Sequence, residues 1–240
     1  MTQREMCVVS DVLNFLESFE DDEAAALVTD PPYCAVGSAS QATAKKYLGH
    51  RTKSRRTNFS GDTRDARSWL RWTTLWLIEA MRVVRVGGVV CIFCDWRQLP
   101  LATDALQCAG WIWGGIVPWN KTRAVRPRKG AFRSQCEYVI WGYRERLIGN
   151  PKVTIDGCIT APRRKAEREY HQVGKPEEVT RQLVQVAPVG DLVIDPFMGG
   201  GSVGAGCLRE GRRFAGGDRS AHSVTVSRER LAALAKELAA

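Results

Sequence analysis

The stretch from Asp191 to Asp218, DLVIDPFMGGGSVGAGCLREGRRFAGGD, decides the fold class. Leu192 to Ile194 is a short apolar run and reads as a strand. Gly199, Gly200 and Gly201 break it and allow a tight turn. The pattern from Ser202 to about Glu210 reads as a helix, and residues 213–217 read as a second strand ending at Asp218. A strand, a glycine turn, a helix and a strand make a unit whose two strands lie parallel, because a helical crossover returns the chain in the same direction.

Gly199, Gly201 and Gly204 satisfy G-x-G-x-x-G. Glycines let a ligand approach the backbone, and the next helix N-terminus offers unpaired N–H groups to an anion. Asp218 ends the following strand, where an acidic side chain can take both hydroxyls of a ribose. By itself this constellation fits NAD, FAD or S-adenosylmethionine. The Asp195-Pro196-Phe197 prefix and the run of three glycines are less typical of dinucleotide sites.

Outward from this unit, strand and helix alternate. Residues 11–20 have spacing suited to a short helix, and Ala24 to Thr29 is an apolar strand. Residues 68–84 predict an amphipathic helix closed by Gly87-Gly88, and Val89 to Cys94 a buried strand. A helix follows over 97–109. Residues 115–119 and 136–142 predict an antiparallel pair around a basic loop. Residues 144–170 are polar and irregular. Residues 176–187 and 222–239 predict two more helices, with Gly190 after the first. The alternation predicts a doubly wound, mainly parallel α/β sheet in one domain over 1–240.

The second informative stretch is Asp30-Pro31-Pro32-Tyr33. Two prolines cannot donate to a ladder and end the strand before them. Loops at the carboxyl ends of strands are where open α/β sheets place ligands. An amino group on a base is a poor nucleophile, because its lone pair is delocalised into the ring. Accepting hydrogen bonds from its two N–H groups localises that pair. The Asp30 carboxylate and the Pro31 carbonyl supply two acceptors. Tyr33 offers a flat face for an unstacked base, a contact worth roughly 1–3 kcal/mol. A base inside a duplex is out of reach, so it has to be flipped out.

Charge points to the partner. The formal net charge is +9, which suits a polyanion. Residues 1–30 carry eight acidic side chains and one basic one. Residues 45–71 carry nine Lys or Arg against Asp62 and Asp65, and residues 121–133 carry six with no acid. Lys45, Lys46, Arg55 and Arg56 in the first segment are candidate phosphate contacts. So are Lys121, Arg126, Arg128, Lys129 and Arg133 in the second. Trp119 is a candidate support for a flipped base. The eight cysteines are scattered, and the Cys91-x-x-Cys94 pair sits in a strand-like run with no second ligand pair, so no metal site is expected. No signal peptide is read, and no apolar run reaches the ~18 residues of a membrane span. Reduced thiols in a cytoplasmic protein are expected.

Together these residues resemble the amino-group DNA methyltransferases in their β-class order, in which the Asp-Pro-Pro-Tyr motif precedes the cofactor loop. VTDPPY (28–33) is similar to the catalytic motif of that family, and residues 195–218 to its cofactor loop, helix and ribose-binding acid. His171-Gln172-Val173-Gly174-Lys175-Pro176 resembles a His-Pro-x-x-Lys-Pro segment, with Gln172 where Pro is usual. Pro118 to Lys121 and Arg133 to Tyr138 resemble segments on the target-base side. The resemblance implies a Rossmann-like, circularly permuted S-adenosylmethionine-dependent methyltransferase fold. It implies methyl transfer to adenine N6 in duplex DNA, with Asp30, Pro31, Pro32 and Tyr33 at the reaction. Asp11, Lys175, Asp195, Phe197, Gly199, Gly201, Ser202 and Asp218 would hold the cofactor, with Lys175 and Ser202 near its methionine carboxylate. It also implies a homodimer, bacterial or phage-encoded, with a short target-recognition segment at 144–170. Adenine is favoured over cytosine N4 because a Ser is commoner in place of Asp30 in the cytosine enzymes. The alternatives are that cytosine N4 enzyme, an enzyme acting on RNA or another planar amino substrate, a non-catalytic DNA-binding subunit and a NAD-dependent oxidoreductase.

Overall fold

The computed structural model describes residues 7–33, 64–127, 129–162 and 174–239. Lys45, Lys46, Arg55, Arg56, Arg128 and His171 lie outside the described residues, as does most of the first basic segment.

Eight strands form one sheet in the order β1-β8-β7-β2-β3-β5-β4-β6. They are β1 (Cys7–Val9), β2 (Ala24–Thr29), β3 (Val84–Cys94), β4 (Ile112–Asn120), β5 (Cys136–Tyr143), β6 (Ile159–Thr160), β7 (Leu192–Asp195) and β8 (Arg213–Asp218). The helices are α1 (Val12–Glu17), α2 (Ala66–Val83), α3 (Leu99–Cys108), α4 (Glu177–Val184), α5 (Ser202–Arg209) and α6 (Ala221–Ala239). Strands β1, β8, β7, β2 and β3 run parallel, and β5 is antiparallel to both β3 and β4. The expected parallel sheet and antiparallel pair are both present.

The parallel strands are buried on both faces. All six residues of β2 and all four of β7 are inaccessible, which is why they read as continuous apolar runs rather than alternations. One core gathers Phe15, Trp69, Trp76, Leu77, Ala105 and Leu106 from α1, α2 and α3 on one face. The other gathers Val179, Leu183, Val203, Val224 and Leu231 from α4, α5 and α6 on the opposite face. The α2 helix starts at Asp65, whose carboxylate accepts hydrogen bonds from the Arg67 and Ser68 N–H groups at 2.9 Å each, a normal N-cap.

Three elements depart from the sequence reading. The strand β1 falls in a segment with no clear period and is only three residues long. It is held at the edge by pairing with β8, from Cys7 opposite Gly216 to Val9 opposite Asp218. The two-residue β6 pairs with Trp119 and Asn120 of β4, inside a segment read as irregular. The Gly87-Gly88 pair does not close a helical unit before the strand. Instead β3 begins at Val84, directly after α2, and contains both glycines. The pairing with β2 jumps from Ala24–Val84 to Ala26–Val89, so residues 85–88 bulge out of the ladder. The bulge explains both glycines. Gly87 has φ +80°, and a Cβ on Gly88 would lie 2.7 Å from the Ala25 carbonyl oxygen.

The direction of travel reverses between β7 and β2. After β2 the chain moves to β3 on one side, and after β7 it moves to β8 on the other. That switch point opens a crevice beyond the carboxyl ends of the strands, where α/β sheets bind ligands. Gly88→Ala is expected to lower unfolding stability by ~1–3 kcal/mol, since the new methyl group would meet the Ala25 and Arg85 carbonyl oxygens as well as the Val84 side chain. Urea denaturation of the purified variant checks this.

Candidate active site at the switch point

The ends of β2 and β7 are tied together. Thr29 Oγ1 donates to Asp195 Oδ1 at 2.6 Å, and the Phe197 N–H donates to the same oxygen at 3.0 Å. Asp195 is 2% exposed. Its carboxylate therefore braces the two loops from inside. Burial pushes its pKa up to about 7, against the hydrogen bonds that favour the charged form.

The loop after β7 is a glycine turn followed by the start of α5. Gly199 and Gly201 have φ +49° and +72°, left-handed values that glycine adopts without cost. The α5 N-terminus has no side-chain cap, so its first N–H groups are available to a ligand. Asp218 at the end of β8 accepts from the Gly199 N–H at 3.0 Å and the Ser220 N–H at 2.8 Å. Phe197 packs edge-on against Trp72 and Trp76, with centroids 5.6 and 5.5 Å away. Asp11 follows β1 and caps α1, accepting from the Leu13 and Asn14 N–H groups at 3.0 and 3.2 Å. Ser10 donates its N–H to the Asp218 carbonyl at 3.0 Å, which sets Asp11 beside that strand end. Ser202 is buried at the first turn of α5. Asp11, Phe197, Gly199, Gly201, Ser202 and Asp218 thus gather along one edge of the sheet.

The Asp-Pro-Pro-Tyr loop stands next to them. The Trp69 indole on α2 donates to the Pro32 carbonyl at 2.9 Å and fixes the loop to that helix. Nothing in the sequence pattern beyond a position on the amphipathic helix marks Trp69 for this task. Asp30 accepts a short hydrogen bond from the Tyr33 hydroxyl on one oxygen. Its other oxygen lies 2.5 Å from Lys175 Nζ. Burial, and then the Asp30 charge, push the Tyr33 phenol well above its ordinary value, so it remains a donor.

Lys175 is 4% exposed. Its ammonium sits 5.1 Å from the Phe93 ring centroid and 5.5 Å from that of Tyr33. It also donates to the Tyr33 hydroxyl at 3.5 Å, and Glu137 of β5 lies 3.6 Å away. Lys121 in turn lies 3.3 Å from Glu137. Asp30, Lys175, Glu137 and Lys121 form an alternating string of charges in the wall of the crevice. A buried ammonium is tolerated only with such pairing.

A family model for DNA methylases (N6_N4_Mtase) matches residues 24–148 and 151–229, which include both loops of this crevice. The chain belongs to the N6/N4 DNA methylase family. It is 23% identical over 232 residues to YubD of Escherichia coli strain K12, named as a methylase, covering 96% of this chain and 92% of that one. Its fold is similar to that of the M1.HpyAVI–SAM complex, with TM-score 0.67, 18% identity and coverage of 94% and 98% of the two chains. It is also similar to that of PvuII DNA methyltransferase (cytosine-N4-specific), with TM-score 0.69, 13% identity and coverage of 97% and 91%.

In this N6/N4 methylase several side chains do not point where the sequence placed them. Lys175 was expected at the methionine end of a cofactor, but its ammonium is against Asp30. Lys121 was expected on phosphate, but it is 8% exposed and faces Glu137. Arg133 donates to the carbonyls of Arg123 and Val125 at 2.5 and 2.8 Å, bracing the loop it belongs to. Trp119 is fully buried and donates its indole N–H to the Ala161 carbonyl at 2.8 Å, so it cannot stack on a base. Asp195 faces inward, toward Thr29, rather than a ligand. Arg126 and Lys129 are exposed, as expected, on the loop between β4 and β5. That loop leaves the same sheet edge as Asp30, because Cys94 at the end of β3 lies opposite Tyr138. Phe132, 98% exposed, projects from it. Cys91 and Cys94 are buried and their thiols are pushed up to about 12, chiefly by burial, which makes them core residues rather than reactive ones.

Asp195 gives the fold a pH dependence. Its folded pKa, about 7, stands above the ordinary 3.8, so the folded state holds a proton that the unfolded state has released. Its contribution to stability is full below the unfolded value and is lost as pH rises through about 7. Asp195→Asn is therefore expected to shrink the fall in melting temperature between pH 5 and pH 8. Thermal unfolding of both proteins across that range measures it, and an unchanged slope would contradict the assignment.

Proposed function

We propose that this protein transfers the methyl group of S-adenosylmethionine to adenine N6 of duplex DNA, with the base flipped into the crevice between the two loops. The observation that carries this reading is that the Asp30–Tyr33 loop and the glycine turn leave adjacent strand ends joined by the Thr29–Asp195 bond, with Asp218 on the Gly199 N–H. The glycine turn, the uncapped α5 N-terminus and the Asp218 carboxylate suit a nucleoside with a carboxylate-bearing tail. The backbone of Gly199 and Gly201 admits it without a Cβ. The Asp218 and Asp11 carboxylates, at neighbouring strand ends, would serve as acceptors for ribose and purine groups. The M1.HpyAVI relative in fold is named as a SAM complex, which supports the same cofactor here.

S-adenosylmethionine supplies an electrophilic methyl carbon on sulfonium. The chain's own residues prepare the nucleophile. Asp30 accepts from one N–H of the target amino group and Pro31 from the other, which draws the nitrogen toward tetrahedral geometry. The new N–C bond would form as the S–C bond breaks, leaving the neutral thioether S-adenosylhomocysteine, and the extra proton on the amino nitrogen would pass to solvent water. No enzyme nucleophile is involved, in keeping with the buried thiols of Cys91 and Cys94. Positioning and electrostatics supply the acceleration. Asp rather than Ser at position 30 favours adenine. The same fold in a cytosine-N4-specific enzyme makes N4-methylcytosine the second reading.

Labelled methyl transfer to unmethylated duplex DNA, followed by nucleoside mass spectrometry, is expected to yield N6-methyladenine. N4-methylcytosine alone would assign the second reading. Asp30→Ala is expected to lower kcat by about 10²–10³-fold, the scale of losing one organised hydrogen-bond partner. The exposed Arg126 and Lys129 are proposed phosphate contacts. At about 0.9 per neutralised phosphate on B-DNA, the double change to Ala should reduce the slope of log Kd against log salt by about 2. A slope unchanged by the double substitution would remove this loop from the DNA interface.

A further inference from the structure

We propose that Glu137 is a positioning residue of the target pocket: it takes over the Lys175 ammonium when the incoming amino group claims Asp30. The proposal rests on the functional reading above.

Both oxygens of Asp30 are engaged in the structure, one by Tyr33 and the other by Lys175 at 2.5 Å. The Lys175 ammonium is itself a nitrogen donor on the carboxylate that is to receive the N–H of the target base. It stands in for the substrate amino group. It also keeps Asp30 aimed while the pocket is empty of a base.

Admitting a base requires this ammonium to yield an oxygen. Lys175 cannot turn to water, because its side chain is 4% exposed and lies against the faces of Phe93 and Tyr33. Beyond Asp30 the ammonium has only the longer contacts to the Tyr33 hydroxyl at 3.5 Å and Glu137 at 3.6 Å, and a buried ammonium that loses one carboxylate without tightening on another is strongly unfavourable. Glu137 solves this. Its carboxylate is already 3.6 Å from Lys175 Nζ, within the reach of a small change in side-chain torsion. Lys121, 3.3 Å from Glu137, holds that carboxylate in place. Lys121 is anchored at the base of its loop, where its N–H donates to the Gln135 carbonyl at 2.9 Å. A string of four alternating charges can pass a partner along without leaving any member unpaired, which a lone Asp–Lys pair cannot do.

The test is a double-mutant cycle read by single-turnover methyl transfer to duplex DNA. Glu137→Gln keeps the shape and removes the charge, so Lys175 stays locked on Asp30. It is expected to lower kcat about 10- to 100-fold, the scale of a misplaced reacting group. The KM for DNA and the affinity for S-adenosylmethionine should stay within about twofold. In the Lys175→Met background there is no ammonium to displace, so adding Glu137→Gln should change kcat by less than about twofold. Two outcomes overturn the proposal. One is a Glu137→Gln enzyme with kcat within about twofold of wild type. The other is an equal fold-loss from Glu137→Gln in both backgrounds, which is what a merely structural role gives. If Glu137→Gln does not fold, Glu137→Met, which also removes the carboxylate at similar length, is carried through the same cycle with the same criteria. Wild-type protein that transfers no methyl group to DNA would overturn the functional reading itself, and this proposal with it. A wild type that is active with a multiplicative cycle overturns only the role of Glu137.

Discussion

The adjacency of β2 and β7 is the constraint from which the rest of the site follows. These two strands are far apart in the chain, yet they pair in parallel at the centre of the sheet. Their carboxyl ends are joined by the hydrogen bond from Thr29 to Asp195. Immediately beyond that bond one loop carries Asp30 and the other carries Phe197 and the glycines. The separation of these two loops is therefore set by a strand pairing and one buried hydrogen bond. A site supported by rigid strands is more accurate than one supported by loops alone.

Around that centre the fold uses buried polar groups sparingly and for definite tasks. Asp195 is kept inside at the cost of a raised pKa, and its two hydrogen bonds make it a brace between loops. Trp69 spends its indole N–H on the Pro32 carbonyl, so the prolines have a fixed seat on α2. Lys175 supplies the charge that the Asp30 carboxylate faces across the crevice. Each of these groups would be expensive alone, and each is partnered with a loop that has chemistry to do. The same economy appears in β3, where the glycine bulge lets the strand start directly at the end of α2.

Much of this was legible in the residues. The segment 191–218 announced a strand, a turn and a helix through its glycines, and the tetrapeptide 30–33 announced a strand end loaded with acceptors. Helix α2 showed its period because one side is buried against the sheet and the other is wet. What was not legible has a common cause. The strands β1 and β6 are three and two residues long, too short for a period, and exist because a neighbouring strand offers them hydrogen bonds. Lys121 and Arg133 looked like phosphate contacts because they sit in a basic run. A side chain's direction, however, depends on which strand it begins and what lies across the sheet.

Sequence alone determined the local chemistry of this protein. It fixed the turn at Gly199 to Gly201, the chain stop at Pro31-Pro32, the acceptors at Asp30 and Asp218 and the alternation that makes the sheet parallel. Those properties follow from side-chain and backbone character within a few residues. Only the tertiary structure decided which charges meet. Lys175, Glu137 and Lys121 come from three separate segments, and nothing in their spacing says that one ammonium lies between two carboxylates. Electrostatic pairing depends on distance and burial, and both are set by how strands assemble rather than by the order of residues along the chain.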